Sequence, residues 1–562
     1  MSCGKPARTR RPPRPTRATA NREAPPMTPM SRRVMNLAHA LTQAAARHPD
    51  RIAIDWGGRT WTWRAFDARV SRLAGALEAR GIAKGDRLLV HARNGNPILE
   101  IMYAAFRLGA VFVPTNHRLM PDDVAYLAQQ SGARAFLCQA DNPAHVAAVR
   151  AACPDLGLVV TLGEGPAEGE PYEGLFAGEG GPVPNAAVEH DDPCWFFYTS
   201  GTTGKPKAAV LTHGQMAFVI TNHLCDLMPG TTPEGDVSLV VAPLSHGAGI
   251  HALTQVARAV TTVLPEGERF DAGEVWALIE RHRVTNLFTV PTILKMMVEH
   301  PAVARHDHAS LRYVIYAGAP MYREDQKRAL RALGPVLVQY FGLGEVTGNI
   351  TVLPPALHDP EDGPGVRVGT CGIERTGMEV QIQDAEGREV PAGTQGEICV
   401  CGPAVFAGYW NNPKANAEAF RDGWFRTGDL GVLDDQRFLT ITGRASDMYI
   451  SGGSNIYPRE IEEKILTHPA VAETAVLGVP DPTWGEIGIA VLVLREGAAL
   501  SEEDLLAYLA DKVARYKLPR RVFLRPALPK SGYGKITKTM VREDLEAAGL
   551  LPLAPPALAG RP

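Results

Sequence analysis

Residues 198–207 read Tyr198-Thr-Ser-Gly-Thr-Thr-Gly-Lys-Pro-Lys207, a run of hydroxyl side chains, two glycines and two lysines. Glycines permit backbone turns with positive φ, while backbone N–H groups, hydroxyls and ammonium groups supply hydrogen-bond donors. The apolar runs 194–198 and 208–212 flank this segment. The pattern predicts a strand, a glycine-rich loop that closes over polyphosphate, and a second strand.

The spacing of this loop differs from that of a Walker A loop. A Walker A loop needs G-x-x-x-x-G-K followed by Ser or Thr, and it opens a helix. Here Thr199 stands where the first glycine should be, and Pro206 follows Lys205. We therefore do not expect a Walker A loop, but an ordinary glycine-rich hairpin turn stays open as an alternative.

The composition indicates a large reduced protein. The chain has 562 residues, of which 45% are hydrophobic, and its 58 basic residues nearly balance its 61 acidic residues. This balance gives no reason to expect a nucleic-acid partner, and no apolar run is long enough for an integral membrane segment. The scattered cysteines fit a cytoplasmic protein better than a secreted one. A homodimer is left open.

The two ends of the chain differ in composition from the rest. Residues 1–33 are rich in arginine and proline and contain Glu23 as their one acidic residue. We expect this segment to be a disordered N-terminal extension, with an organelle leader or a start site that lies further along as alternatives. Residues 551–562 are rich in proline and alanine, so a disordered tail is expected there.

The remaining chain predicts an α/β fold. Helical and strand patterns alternate from residue 34 to 443, which indicates doubly wound α/β subdomains in a large N-terminal domain. From about residue 365 to 443 short alternating runs predict a small β-barrel within this domain. Residues 444–448 are expected to form a hinge, and 449–550 a mobile α+β C-terminal lid domain.

Further segments place polar residues or glycines between apolar strands. In Gln339-Tyr-Phe-Gly-Leu-Gly-Glu345, an aromatic ring could stack on a base and a carboxylate could hold Mg²⁺. Asp429 ends the segment Gly423–Asp429, and its carboxylate is suited to accept hydrogen bonds from the two hydroxyls of a ribose. Arg444 can pair with phosphate or ribose, and Lys535 lies on a glycine-flanked loop that could bring a charge to a closing site. Each segment alone is also explained by an ordinary surface turn.

Taken together and in this order, the segments resemble the acyl-adenylate-forming superfamily, which includes acyl-CoA synthetases, peptide-synthetase adenylation domains and firefly-type luciferases. The resemblance extends from about residue 36 to 550. Ser451-Gly-Gly-Ser-Asn-Ile-Tyr-Pro-Arg-Glu460 is similar to the corresponding region of carboxylate–CoA ligases. The resemblance implies a ligase that uses ATP and Mg²⁺ to convert a carboxylic acid first to an acyl-AMP and then, with CoA, to an acyl-CoA.

The resemblance also implies roles for the matching residues. Nucleotide binding is expected of Thr199, Ser200, Gly201, Thr202, Thr203, Gly204, Lys207, Gly318, Ala319, Pro320, Phe341, Gly342, Asp429 and Arg444. The resemblance implies two catalytic residues, namely Lys535, which would balance charge in the first step, and Glu345, which would also be the metal ligand. Other roles are CoA binding (Gly452 and Gly453), the acyl pocket (His246, Gly247, Ala317 and Gly344) and the hinge (Asp447).

Two positions depart from the superfamily pattern. The superfamily usually reads Tyr-Gly-x-Thr-Glu, whereas this chain has Gly344 before Glu345. This change removes a hydroxyl that contacts the α-phosphate, and Thr347 is a candidate replacement. A basic residue near Ser446 is also missing from the hinge, where Arg459 is a candidate replacement.

Small side chains around the acyl pocket indicate a medium or long-chain fatty acid or a cyclic or aromatic acid as substrate. Two other functions stay open. One is an adenylating enzyme that loads the phosphopantetheine of a separate carrier protein. The other is a non-catalytic nucleotide-binding relative, which the retained Glu345 and Lys535 argue against.

Overall fold

The computed structural model describes most of the chain between residues 34 and 551. The described residues are 34–177, 180–199, 205–267, 269–319, 321–444, 446–452, 454–530 and 536–551. The calls made on residues 1–33 and 552–562 therefore lie outside the described residues, as do those on Ser200 to Gly204, Pro320, Gly453 and Lys535.

The first part of the chain alternates helices and strands as predicted. Its elements are α1 (Ala38–Arg47), β1 (Ile52–Trp56), β2 (Arg59–Thr62), α2 (Trp63–Ala79), β3 (Arg87–His91), α3 (Asn96–Leu108), β4 (Val111–Pro114), α4 (Pro121–Ser131), β5 (Ala135–Gln139), α5 (Pro143–Ala152), β6 (Leu158–Leu162) and β7 (Glu170–Pro171). Proline in the first turn and a left-handed glycine at the end bound α3, where Gly109 has φ +67°. Helix α2 begins directly after β2, where the Thr62 hydroxyl accepts from Ala65 N and caps the helix.

The middle of the chain continues the alternation. Its elements are β8 (Pro193–Thr199), β9 (Lys207–Thr212), α6 (His213–Asp226), β10 (Val237–Val240), α7 (Gly247–Ala257), β11 (Thr261–Leu264), α8 (Ala272–His282), β12 (Asn286–Thr289), α9 (Pro291–Glu299), β13 (Tyr313–Tyr316), α10 (Arg323–Leu333), β14 (Leu337–Phe341), β15 (Thr351–Leu353) and β16 (Ile373–Glu374). The strands on either side of the glycine-rich loop, β8 and β9, pair antiparallel. The two predicted strands are confirmed, and the described chain continues from residue 205 into β9 rather than into the helix that a Walker A loop would open.

Two mostly parallel sheets form the framework of the α/β region. One has the strand order β7-β6-β5-β3-β4-β8-β9, and the other β16-β15-β14-β13-β12-β10-β11-β1-β2. Strands β10 to β14 run parallel where they pair with one another, and β15 joins antiparallel. Their apolar runs are buried, and Trp63, Trp195 and Trp276 are among the largest fully buried side chains. The predicted fold class is confirmed, and the carboxyl ends of the parallel strands are the expected place for a ligand site.

Two smaller β units follow. The first contains β17 (Glu379–Gln383), β18 (Gly396–Cys401), α11 (Pro413–Ala419), β19 (Phe420–Arg421), β20 (Trp424–Leu433) and β21 (Leu439–Arg444). Its strands pair antiparallel throughout. The alternating side chains predicted a strand here, and Cys399 is indeed buried on β18. This five-stranded antiparallel sheet spans residues 379–444, close to the range 365–443 where the sequence predicted a small β-barrel.

The second unit is α+β. It contains β22 (Tyr449–Ser451), β23 (Ser454–Ile456), α12 (Pro458–Ile465), β24 (Val471–Asp481), β25 (Gly485–Leu494), α13 (Glu502–Leu509), β26 (Arg521–Leu524) and α14 (Lys538–Ala547). Strands β24 and β25 form a long antiparallel pair, and β26 runs parallel to β25. Buried Ile461, Leu492 and Leu505 join helix and sheet in one core. No helix of the described residues combines the length and apolar content that a membrane span requires.

Candidate active site

The edge of the glycine-rich loop places two predicted residues opposite each other. Thr199 ends β8 and Lys207 begins β9, and the two are paired in register. The ammonium of Lys207 lies 5.2 Å from the centroid of the Tyr409 ring, a distance that suits a cation–π contact. The described ends of the loop thus carry a hydroxyl and a fixed cation toward one space.

Glu345 is the buried carboxylate of this space. It lies on a short 3₁₀ turn, Gly344–Val346, that follows β14. Its Oε1 accepts hydrogen bonds from Thr199 Oγ1 over 2.9 Å and from Tyr409 Oη over 2.8 Å. These contacts orient a carboxylate that is 4% exposed. The structure therefore joins Glu345 to the glycine-rich loop.

Tyr409 is a site residue that the sequence reasoning missed. Burial, together with the nearby Glu345 carboxylate, raises the pKa of Tyr409 above its ordinary value, so its hydroxyl stays a donor. The signal in the sequence is weak, because Tyr409 lies 64 residues from Glu345 and outside every segment singled out above. Backbone bonds from Val210 N to Gly408 O and from Trp410 N to Ala208 O hold it beside β9.

Asp429 and Arg444 come together as a pair. They stand opposite each other on β20 and β21, and Arg444 Nε donates to Asp429 Oδ1 over 2.9 Å. Asp429 is buried, whereas the Arg444 side chain is 46% exposed. A buried acid beside an accessible guanidinium is a suitable arrangement for a ribose diol next to a phosphate.

The adjacent strand ends carry residues predicted for the acyl pocket and for the adenine. Ala317, predicted for the acyl pocket, is buried directly after β13, and Gly318, predicted for the adenine, follows with φ +84°, a conformation that favours glycine. Phe341 ends β14, the neighbouring parallel strand, and Gly342 follows it. The parallel pairing thus places these residues at one edge of the sheet.

A cavity of about 870 Å³ opens beside these strand ends. Five predicted residues line it, namely His246, Gly247, Gly318, Gly342 and Gly344. Aromatic and aliphatic side chains form much of its wall, including Trp56, Phe197, Ile250, Phe288, Ile293, Met296 and Tyr340. The basic residues Arg93, Arg118, Arg269 and Lys530 also line it. Its size is typical of a small-molecule site, and the mainly apolar wall favours an apolar ligand.

The two departures from the superfamily pattern have structural consequences. Thr347 lines the cavity, but its hydroxyl already donates to Val346 O and accepts from Asn349 Nδ2. It therefore does not present a free hydroxyl in this arrangement. At the predicted hinge, Ser446 Oγ donates to Asp447 Oδ1 over 3.3 Å. Arg459, the candidate replacement, has its Nε 3.8 Å from Glu463 Oε1 on helix α12.

The residues expected beside CoA are described in part. Gly452 N donates to Trp484 O over 2.9 Å at the turn between β22 and β23. A Cβ at Gly452 would lie 2.9 Å from Trp484 Cε3, so this turn is closely covered by the indole ring. Trp484 itself is 47% exposed. The second glycine of the pair, Gly453, lies outside the described residues.

Comparison with known proteins agrees with this geometry. Residues 41–410 match the sequence profile of the family described as AMP-binding enzyme, and residues 460–535 match that of the AMP-binding enzyme C-terminal domain. The chain belongs to the AMP-binding enzyme family. The recognition made from the motifs is confirmed.

Relatives within the family cover nearly the whole chain. A feruloyl-CoA synthase of Amycolatopsis sp is 37% identical over 500 residues, which are 89% of this chain and 96% of that protein. A fatty acid–[acyl-carrier-protein] ligase of Streptomyces coeruleorubidus is 35% identical over 502 residues, 89% of this chain and 94% of that protein. The structure of ATP-bound MatB from Rhodopseudomonas palustris superposes with a TM-score of 0.82 at 30% identity, covering 91% of this chain and 99% of that one.

The activity predicted from the sequence is thereby confirmed at the level of the reaction. The chain is an ATP-dependent carboxylic acid–CoA ligase of the AMP-forming type, and ATP and CoA are its substrates. The acid it activates is not fixed by these relatives.

Proposed function

We propose that this ligase activates an apolar acid, either a medium or long-chain fatty acid or a cyclic or aromatic acid, in the cavity beside Gly344. The single observation that carries the proposal is the junction of Gly344 with Glu345. Gly344 lines the mainly apolar cavity, while the next residue, Glu345, bonds to Thr199 at the glycine-rich loop. An acid whose tail fills the cavity therefore directs its carboxylate toward the proposed ATP residues.

The first half-reaction follows from this placement. A carboxylate oxygen attacks the α-phosphorus of ATP, the bond from that phosphorus to the bridging oxygen breaks, and pyrophosphate leaves. Thr199, Ser200, Thr202 and Lys207 hold the β- and γ-phosphates in this proposal. Asp429 and Arg444 hold the ribose, and Gly318, Ala319, Pro320 and Phe341 frame the adenine. Lys535, which lies outside the described residues, balances the charge that builds between the two reacting groups.

Magnesium fits the residues of this site. Glu345 offers a buried carboxylate that hydroxyl donors orient, and Mg²⁺ prefers carboxylate and phosphate oxygens. The described residues include no group of three or more His, Cys, Asp and Glu side chains arranged to hold a metal. Glu345 would therefore hold the ion together with the phosphates of ATP, where it supplies charge stabilisation.

The second half-reaction requires a thiol. The sulfur of CoA attacks the acyl carbon, its proton leaves, and the bond from that carbon to the AMP oxygen breaks. We propose that the lid, residues 449–550, turns about Asp447 between the two steps and that Gly452 and Gly453 line the pantetheine path. A cytoplasmic location and a homodimer stay predictions.

The products of the complete reaction test this function. The chain should convert ATP, CoA and an acid to acyl-CoA, AMP and pyrophosphate when phenylpropanoate, cinnamate, octanoate or palmitate is supplied. Activity on a short polar diacid such as malonate, with none on these apolar acids, would overturn the substrate class. Acyl transfer to a phosphopantetheinylated carrier protein in place of CoA would instead support the carrier-loading alternative.

A further inference from the structure

Phe197 and Gly344 meet where the cavity joins the polar residues. Side chains two apart on a strand share a face, so Phe197 lies on the same side of β8 as Thr199. Thr199 donates to Glu345, and Gly344 directly precedes Glu345. Phe197 and Gly344 both line the cavity. Phe197 and Gly344 thus lie on the cavity side, and their neighbours Thr199 and Glu345 lie at the polar end of the cavity.

The ring of Phe197 occupies the space that a side chain at position 344 would need. A Cβ at Gly344 would lie 2.6 Å from Phe197 Cδ1 and 2.8 Å from Thr199 Cγ2. A Cβ atom essentially never lies this close to another heavy atom, so the Phe197 ring, the Thr199 side chain or the backbone would have to move. The ring centroid also lies 4.7 Å from that of His246. The Phe197 ring therefore packs against both Gly344 and His246.

We propose that Phe197 is a specificity-determining residue that faces the α-carbon of the bound acid, and that Gly344 is present because it makes room for this ring. The proposal rests on the proposed function. The carboxylate must reach the end of the cavity near Thr199 and Glu345, so the carbon next to it passes the Phe197 ring. A substituent on that carbon meets the ring. The site therefore selects acids with an unbranched or planar α-carbon over α-branched acids.

A second contact of the same kind supplies a matched control. A Cβ at Gly247 would lie 2.5 Å from Phe288 Cζ, so Phe288 is likewise seated on a glycine and lines the same cavity. Phe288 stacks on Tyr340 with ring centroids 5.8 Å apart, and no bond joins it to Glu345 or Thr199 among the described contacts. Truncation of Phe288 should alter the cavity without altering discrimination at the α-carbon.

The packing can be tested without any substrate. Gly344→Ala should lower the thermal midpoint of unfolding because its Cβ meets the Phe197 ring. The same change made in a Phe197→Ala background should lower the midpoint by a smaller amount, since the ring is gone and only the contact to Thr199 is left. Equal losses in the two backgrounds would contradict the contact on which the proposal depends.

Selectivity is tested with a matched pair of acids, 3-phenylpropanoate and 2-methyl-3-phenylpropanoate, by pyrophosphate release. We expect the parent enzyme to favour the unbranched acid in kcat/KM, and Phe197→Ala to reduce that preference by about ten-fold or more, the scale of one methyl group in an apolar pocket. Phe197→Leu should be intermediate, and Phe288→Ala should keep the parent preference. An unchanged preference in active Phe197 variants would overturn the proposal alone. Absence of pyrophosphate release with every acid would overturn the proposed function as well.

Discussion

Tyr409 donates a hydrogen bond to Glu345 Oε1 over 2.8 Å, and the same oxygen accepts from Thr199 Oγ1 over 2.9 Å. The carboxylate that is proposed to hold Mg²⁺ is therefore oriented by two hydroxyls from separate strands and loops. Hydrogen bonds of this kind hold a metal-ligating side chain in one orientation, in which it can bind the metal ion together with a phosphate.

Tyr409→Phe should lower kcat/KM for adenylate formation by about ten-fold or more, since a hydrogen bond to a charged group contributes about 1.5–3 kcal/mol. The Mg²⁺ concentration that gives half-maximal rate should rise as well. Tyr126→Phe is the matched control. The ring of Tyr126 makes a cation–π contact with Lys205, as the ring of Tyr409 does with Lys207, but the Tyr126 hydroxyl donates to Pro206 O. An unchanged Mg²⁺ dependence in Tyr409→Phe would contradict the orienting role.

Arg444→Ala should raise the KM for ATP by about ten-fold, because the guanidinium that pairs with Asp429 is lost from the proposed ribose site. Thermal stability should fall as well, because the Arg444 side chain is 46% exposed but the Asp429 carboxylate that loses this partner is buried. Arg437→Ala is the control: Arg437 is also 46% exposed and pairs with Glu374. A similar rise of KM in both variants would mean that the effect is not specific to Arg444.

Stability should fall in acid. Burial lowers the pKa of His213 and of His251 from 6.5 to about 4. Below pH 6.5 the unfolded chain takes up protons at these positions while the folded chain does not, so their contribution is complete above pH 6.5 and is lost toward pH 4. The free energy of unfolding, measured by urea titration, should decrease over that interval.

His251→Gln should reduce the slope of this decrease, whatever its effect on stability at neutral pH. His190 is the control because its side chain is 63% exposed, and His190→Gln should leave the slope unchanged. A slope that does not respond to His251→Gln would contradict the assignment.

Lys535→Ala should abolish the first half-reaction and spare the second. In this proposal the positive charge of Lys535 is needed while the carboxylate approaches the α-phosphate. The later attack of the thiol on acyl-AMP does not involve Lys535. Pyrophosphate release and acyl-CoA formation from supplied acyl-AMP measure the two steps separately. Lys538→Ala is a nearby control, since Lys538 bonds to Glu462 within the lid. Equal loss of both steps in Lys535→Ala would contradict this role.

The sequence predicted the local structure well where one segment contains the whole signal. Glycines and apolar flanks predicted the strands β8 and β9, and Asp429 and Arg444, which the resemblance assigned to the nucleotide, lie opposite each other on β20 and β21. Such local structure depends on residues close together in the chain, and the alternation of apolar and polar residues there can be seen in the sequence.

Contacts between distant segments could not be predicted in this way. The bond from Tyr409 to Glu345 depends on how the segment after β18 lies against β9, and the packing of Phe197 on Gly344 joins residues far apart in the chain. The sequence did show that Gly344 replaces the usual threonine. Only the structure shows that an aromatic ring fills the space beside it.

Exchange of labelled pyrophosphate into ATP measures acyl-AMP formation most directly. With an apolar acid, ATP and Mg²⁺, we expect exchange without CoA, dependence on the acid, and loss of exchange in Glu345→Ala. Exchange that proceeds without acid, or that survives unchanged in Glu345→Ala, would contradict the site proposed here.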